Sequence, residues 1–210
     1  MAKHWRDCIE AGQELGNALL SYSGEDTVVY GLPRGGAIVA AEVARVLGGE
    51  LGLVIARKIG HPGHAEYAIG AVTETGRPVL NETEAPSVNQ EWLEKEIDRQ
   101  RKEAKRRRIL YLEDYHAPEP AGKAAIIVDD GIATGYTMRA AINELRQKSA
   151  AQIIVAAPVA PQDAVADIMA EADEVVVLHV EKGWFGAVGR YYDYFEQVED
   201  EEVVGALHDF

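Results

Sequence analysis

Asp129 and Asp130 stand side by side at the end of an apolar run, in the segment Ala125-Ile-Ile-Val-Asp-Asp-Gly-Ile-Ala-Thr-Gly-Tyr-Thr137. Burying two neighbouring anions is costly, so the pair belongs at a strand end, where cations or hydroxyl groups can meet it. A sugar diol fits that requirement. The residues that follow, Ala133 to Thr137, are small or hydroxyl-bearing and open a helical pattern whose Met138, Ala141, Ile142 and Leu145 share one face. Accessible backbone N–H groups at the positive end of a helix suit a phosphate monoester. Acids for a diol, followed by a phosphate cradle, together describe a phosphorylated sugar.

Two further segments carry cations after apolar runs. Gly31-Leu-Pro-Arg-Gly-Gly36 follows Thr27-Val-Val-Tyr30, and the Arg34 guanidinium offers paired donors to phosphate oxygens. By itself, Gly35-Gly36 after a strand is also an ordinary turn. Arg57-Lys58 closes the run from Leu51 and precedes Ile59 to Glu66, whose Gly60, Pro62 and Gly63 predict a mobile loop. His61 and His64 are spaced H-x-x-H, but without acidic or cysteine partners nearby they read as polar loop residues, and no residue is assigned as a direct metal ligand.

The elements that must position these residues alternate along the chain. Residues 4–20 predict an amphipathic helix with Ile9, Leu15 and Leu19 on its apolar side. Strand Thr27–Gly31 is followed by a helix with Val39, Val43, Val46 and Leu47 in phase, stopped by Gly48-Gly49, and then by a strand from Leu51 to Arg57. Ile69–Thr73 and Pro78–Leu80 suggest a hairpin. Residues 89–112 form a charged helix with Glu91/Lys95, Asp98/Lys102 and Glu103/Arg107 at i,i+4 spacing. That helix reads foremost as a solvated face, with a basic lid over phosphates or a partner surface as the other options. Strands at 124–128, 152–157 and 174–179 then alternate with helices at 136–147 and 162–170. Continuous apolar strands joined by helical crossovers imply an α/β fold with a mostly parallel central sheet flanked by helices.

The run from 125 to 137 closely resembles the signature of the type I phosphoribosyltransferases, which bind 5-phosphoribosyl-1-pyrophosphate (PRPP) and displace its pyrophosphate with a nitrogen nucleophile. By that resemblance Asp129 and Asp130 hold the ribose hydroxyls. Gly131, Ile132, Ala133, Thr134, Gly135, Tyr136 and Thr137 belong to the same site, with Ala133 to Thr137 around the 5′-phosphate. Arg34, Gly35 and Gly36 are similar to the pyrophosphate loop, and Arg57-Lys58 to the pair preceding the catalytic loop of the adenine and orotate enzymes. The resemblance implies catalysis by Asp129, Asp130, Lys58 and Arg34, Mg²⁺ bound with PRPP, a small nucleobase-like acceptor, and release of pyrophosphate. It leaves a homodimer open, and a PRPP-sensing regulator without turnover as the alternative. Residues 181–210 fall where the family places its hood, so Trp184 and Phe185, with the aromatic residues of Tyr191-Tyr-Asp-Tyr-Phe195, either stack on the acceptor base or close a small core. Residues 89–112 are then an inserted charged helix in one domain spanning 1–210. Two departures stand out: Ala133 replaces the acid of the 6-oxopurine salvage enzymes, and Gly131 replaces the usual apolar residue, which suggests a more flexible backbone there.

Composition narrows the remaining classes. With 21 Lys and Arg against 35 Asp and Glu the formal net charge is −14, which disfavours a nucleic-acid backbone as partner. Cys8 is the single cysteine, so neither an intrachain disulfide nor a cysteine-rich zinc site can form. The N-terminal residues show no apolar signal core and no run of 18 apolar residues occurs, so the expectation is a cytoplasmic protein without membrane contact. No G-x-x-x-x-G-K-[ST] or G-x-G-x-x-G loop is present, which argues against nucleoside triphosphatases and dinucleotide enzymes.

Overall fold

The structure, a computed structural model, describes residues 3–24 and 26–210. Five parallel strands form the central sheet in the order β2-β1-β6-β7-β8. Its middle is made by β1 (Thr27–Gly31), β6 (Ala124–Val128) and β7 (Gln152–Pro161), whose residues are almost all buried, as expected of strands covered on both faces. The outer strands are β2 (Glu50–Leu53) and β8 (Glu174–Glu181). One face is covered by α1 (Cys8–Ala18), α2 (Gly35–Leu47) and α6 (Asp200–His208), which share a core with Val29, Ile126 and Ile154. The other face is covered by α4 (Tyr136–Gln147) and α5 (Gln162–Met169), packed on Val28, Ile127 and Val155. Leu15 and Leu19 are buried as expected of the first helix, whereas Ile9 is 44% exposed.

The predicted strand from Leu51 to Arg57 is two strands. The chain leaves the central sheet at Leu53, where Val54 N–H donates to the Gly31 carbonyl at 3.1 Å. It then enters β3 (Ala56–His61), which pairs antiparallel with β4 (His64–Thr73) in a separate three-stranded sheet completed by β5 (Val79–Leu80). An unbroken apolar run cannot mark this change of sheet, because Val54 and Ile55 are buried on either side of it. The loop expected at 59–66 is accordingly the end of a hairpin, with Pro62-Gly63 between paired His61 and His64 and a register shift at Gly60. The β4–β5 hairpin agrees with expectation.

Helix α3 (Gln90–Leu112) begins where Asn89 accepts a hydrogen bond from Trp92 N–H at 2.9 Å. Its apolar stripe is thin because it serves two cores in turn. Trp92, Leu93 and Ile97 pack with Ile59, Ile69 and Val72 of the small sheet, and Ala104 and Tyr111 join the main core. Beyond β8, residues 182–210 contribute one 3-10 turn (Val188–Tyr191) and α6, and Tyr191 and Tyr192 close a small core with Trp5 and Val159. Among the described residues no helix is long and apolar enough to cross a membrane.

The small sheet predicts a gradient of protection along its hairpin. Residues 57–59 and 68–73 pair against a buried core, whereas 61–67 are mostly exposed. In hydrogen exchange of the ligand-free protein, amides of 61–67 should therefore exchange much faster than those of 57–59 and 70–72. Equal protection along both strands would show that the tip is as rigid as the base.

Candidate active site

The register of the central sheet brings the two chemistry-bearing loops together. Gly31 pairs with Val128, so β1 and β6 end side by side, and Leu32 N–H donates to the Val128 carbonyl at 2.9 Å. From those ends the chain runs into α2 through Pro33-Arg34, whose peptide bond is cis, and into α4 through residues 129–135. A cleft of about 720 Å³ opens above them. Its floor is Asp129, Asp130 and Gly131; the hairpin, α3 and the segment containing Val188 and Phe195 form its sides.

The first turn of α2 rests on the acid pair. A Cβ on Gly35 would collide with Asp130 Oδ2, and one on Gly36 would lie 2.8 Å from Asp129 Oδ1. Only glycine allows that approach. Asp129 Oδ1 accepts the Asp130 N–H at 2.9 Å, and Tyr192 donates its hydroxyl to the Asp130 carbonyl at 2.6 Å. Burial, and then repulsion by Asp130, holds the Asp129 carboxyl well above the usual carboxylate range. Burial pushes Asp130 up to about 6, and Lys58 pulls both acids the other way.

Neither helix that opens onto the cleft has a side-chain cap: Arg34 precedes α2 and Gly135, at φ +75°, precedes α4. Of the other helices, α1, α3 and α6 are capped by Asp7, Asn89 and the Glu199/Glu202 capping box, while α5 follows Pro161 without a side-chain cap. Orphan N–H groups at the start of α2 and α4 are therefore available to an anion in the cleft.

Arg34, Gly35, Arg57, Lys58, Asp129, Asp130, Gly131, Ala133, Thr134, Gly135 and Thr137 all line the cleft, so the structure unites most of the residues singled out from sequence. Ile132 does not: it is buried in the core and its N–H donates to the Val159 carbonyl at 2.9 Å. Tyr136 turns away too, its hydroxyl accepting from Asn81 Nδ2 at 2.8 Å. Gly36 lies beneath Asp129 rather than in the lining. Trp184 is 79% exposed under the Arg190 guanidinium and Phe185 stacks on Tyr191, so neither lines the cleft; Val188 and Phe195 do. Gly131 is required by space rather than by flexibility, since a Cβ there would meet Val188 Cγ1 at 2.5 Å.

From sequence a basic lid over phosphates is only one option for α3, and none of Trp92, Glu96, Arg99, Gln100 and Arg107, which line the cleft from it, stands out as a site residue. Their spacing on one helical face was visible, but the charges around the rest of the helix hid it. Arg34 Nη1 lies 3.4 Å from Glu199 Oε2 and 3.7 Å from Asp200 Oδ1, and Tyr111 donates to Asp200 Oδ1 at 2.6 Å, so α3, α6 and the Arg34 loop meet.

The model of the phosphoribosyl transferase domain matches residues 6–196, a span that includes every residue lining this cleft. The chain belongs to the phosphoribosyl transferase domain family. A curated protein of Mycobacterium tuberculosis strain H37Rv, provisionally named a phosphoribosyl transferase, is 39% identical over 203 residues, or 94% of this chain and 45% of that protein. Its counterpart in strain CDC 1551 matches to the same extent, so the chain spans about half the length of the curated relatives it matches. A crystal structure of a Thermus thermophilus protein is 43% identical, superposes with a TM-score of 0.82, and the match covers 98% of each chain. Within this family fold, the acid pair and two uncapped helix starts meet at one cleft.

Because both acids are harder to ionise in the fold than in the unfolded chain, the fold binds more protons between about pH 4 and the raised values. Stability contributed by the pair is thus present at low pH and falls as pH rises through that window. Replacing both with asparagine (Asp129→Asn, Asp130→Asn) should raise stability at pH 7 by on the order of 1–3 kcal/mol, with the gain vanishing near pH 4. Denaturant titrations across that range check this; a variant less stable than wild type at pH 7 would mean that the carboxylates stabilise the empty fold.

Proposed function

We propose that this domain transfers the 5-phosphoribosyl group from PRPP to a small nitrogenous, nucleobase-like acceptor, with Mg²⁺ bound alongside PRPP and pyrophosphate released. The observation that carries the reading is the convergence of a half-buried acid pair, two uncapped helix starts and the cations Arg34 and Lys58 on one cleft. Asp129 and Asp130 accept hydrogen bonds from the ribose 2′- and 3′-hydroxyls, which relieves the repulsion between them. The loop from Ala133 to Thr137 takes the 5′-phosphate through the start of α4. Arg34 and Lys58 neutralise the pyrophosphate as the C1–O bond breaks, and the acids stabilise the oxocarbenium character that develops on the sugar. The acceptor approaches C1 along the side lined by Val188 and Phe195.

Two mutually repelling carboxylates form a donor set that suits a hard, oxygen-seeking cation, and Mg²⁺ bound with PRPP would supply charge neutralisation of the pyrophosphate oxygens. Asp129 and Asp130 are the residues that would face it through water, with no residue called on as a direct ligand. The hairpin tip, from Gly60 to Glu66, stands at the mouth of the cleft, where closure would exclude water from a sugar cation that water would otherwise capture.

Calorimetric titration with PRPP and Mg²⁺, followed by a nucleobase panel monitored for pyrophosphate release, tests the reading. Wild type should bind PRPP and the Asp129→Asn, Asp130→Asn variant should not; unchanged affinity would refute the sugar site. PRPP binding without release on any acceptor would favour a sensor. For Arg34→Ala, pyrophosphate affinity should fall by roughly 1.5–3 kcal/mol, the scale of a charge-assisted hydrogen bond, while ribose 5-phosphate binding stays the same. Equal losses for both ligands would place Arg34 outside the pyrophosphate site.

A further inference from the structure

Where α3 faces β3, the cleft holds three arginines, of which two are paired on the helix and the third, Arg57, has no carboxylate partner among the described residues. Trp92, Glu96, Arg99, Gln100 and Arg107 line the cleft at helical spacing, a stripe about 22 Å long at 1.5 Å per residue. Arg99 is paired with Glu96 at 2.7 Å and Arg107 with Glu103 at 2.9 Å. Between them stands Arg57 of β3, half-buried, whose Nε donates to Gln100 Oε1 at 3.3 Å. Arg57 forms no ion pair with a carboxylate among the described residues, and Gln100, itself buried, offers it a neutral acceptor instead. Burial and the neighbouring Arg107 and Arg99 hold the Arg57 guanidinium below its ordinary range, against the pull of Glu103.

A half-buried arginine set beside two others is costly unless an anion joins them. The group also has a definite position. Tyr111, one helical turn beyond Arg107, donates to Asp200 Oδ1 at 2.6 Å, and the same oxygen lies 3.7 Å from Arg34 Nη1, so the Arg107 end of α3 lies on the Arg34 side of the cleft. Val188 and Phe195 belong to the segment beyond β8.

We infer that Arg57, Arg99 and Arg107 form a second anion subsite, contiguous with Arg34, that takes the outer phosphate of the pyrophosphate group. The inserted helix then completes the leaving-group site within one chain. This rests on the phosphoribosyl reading above. An acidic group on the acceptor shares the same chemistry, but it would have to reach across to the Arg34 side.

The test uses the full chain with Arg107→Gln, Arg57→Gln combined with Arg107→Gln, and Arg107→Lys, titrated separately with magnesium pyrophosphate and with ribose 5-phosphate. Pyrophosphate binding should weaken about tenfold in Arg107→Gln and further in the double variant, with partial recovery in Arg107→Lys. Ribose 5-phosphate binding should stay within about twofold, which also shows that the variants are folded. Unchanged pyrophosphate affinity in the double variant overturns the subsite. So does a loss confined to the KM for an acidic acceptor, which would assign the arginines to the acceptor. Arg107-dependent pyrophosphate binding by a wild type that ignores ribose 5-phosphate would keep the subsite and remove the phosphoribosyl reading.

Discussion

The rest of the site depends on the approach of α2 to two carboxylates at the end of a neighbouring strand. With Gly31 in register with Val128, the chain leaving β1 must pass directly beside the chain leaving β6. The space between them is so small that a Cβ at Gly35 would collide with Asp130 and one at Gly36 would crowd Asp129. Two consequences follow from that packing. The acids are partly withdrawn from water without a paired cation in contact among the described residues, which raises their affinity for protons, and the start of α2 remains uncapped beside them. Unsatisfied acceptors and unsatisfied donors therefore share one cleft, a combination that costs stability and favours a ligand with both hydroxyls and phosphate oxygens.

Cations are held near this floor by elements from distant parts of the sequence. Arg34 is drawn toward Glu199 and Asp200 at the start of α6, and Tyr111 of α3 shares Asp200. These acids orient the guanidinium, but they also compete with any anion that approaches it. The geometry consequently favours a ligand with several negative charges over a single phosphate, since only a polyanion also engages Lys58 and the arginines of α3 and β3. Tyr192 performs a similar positioning role from the chain terminus by bonding to the Asp130 carbonyl.

How far sequence could lead differs between the floor and the walls. The floor was legible because its residues are contiguous: strand, acids, small loop and helix follow one another from 125 to 137, and α4 begins at the expected Tyr136. The central strands were legible for the same reason, as buried apolar runs with helical crossovers. The break between Leu53 and Ala56 was not, because burial on both sides of it leaves no change in hydrophobicity. The contribution of α3 was hidden differently. Its polar residues face either water or the cleft, and period alone does not distinguish a polar face exposed to solvent from one that lines a cavity. The terminal segment shows the converse error in part: of its prominent aromatic residues Phe195 lines the cleft but Trp184 and Phe185 do not, whereas the less conspicuous Val188 reaches both Gly131 and the cleft.

The two cores also divide the site mechanically. Asp129, Asp130 and the loops around them sit on the main sheet, where β1, β6 and β7 are buried on both faces. The hairpin and the first half of α3 rest instead on a smaller core built around Ile59, Ile69, Val72 and Leu93. A smaller apolar core gives a lower barrier to local displacement, so motion that opens or closes the cleft belongs to that side. Helix α3 limits such motion, because its second half is fixed in the main core through Ala104 and Tyr111. Residues near Arg107 are thus anchored with the floor, while Trp92 and the hairpin tip lie toward the mobile end. That arrangement keeps the Arg107 end of α3 in place with the floor while the mouth of the cleft moves.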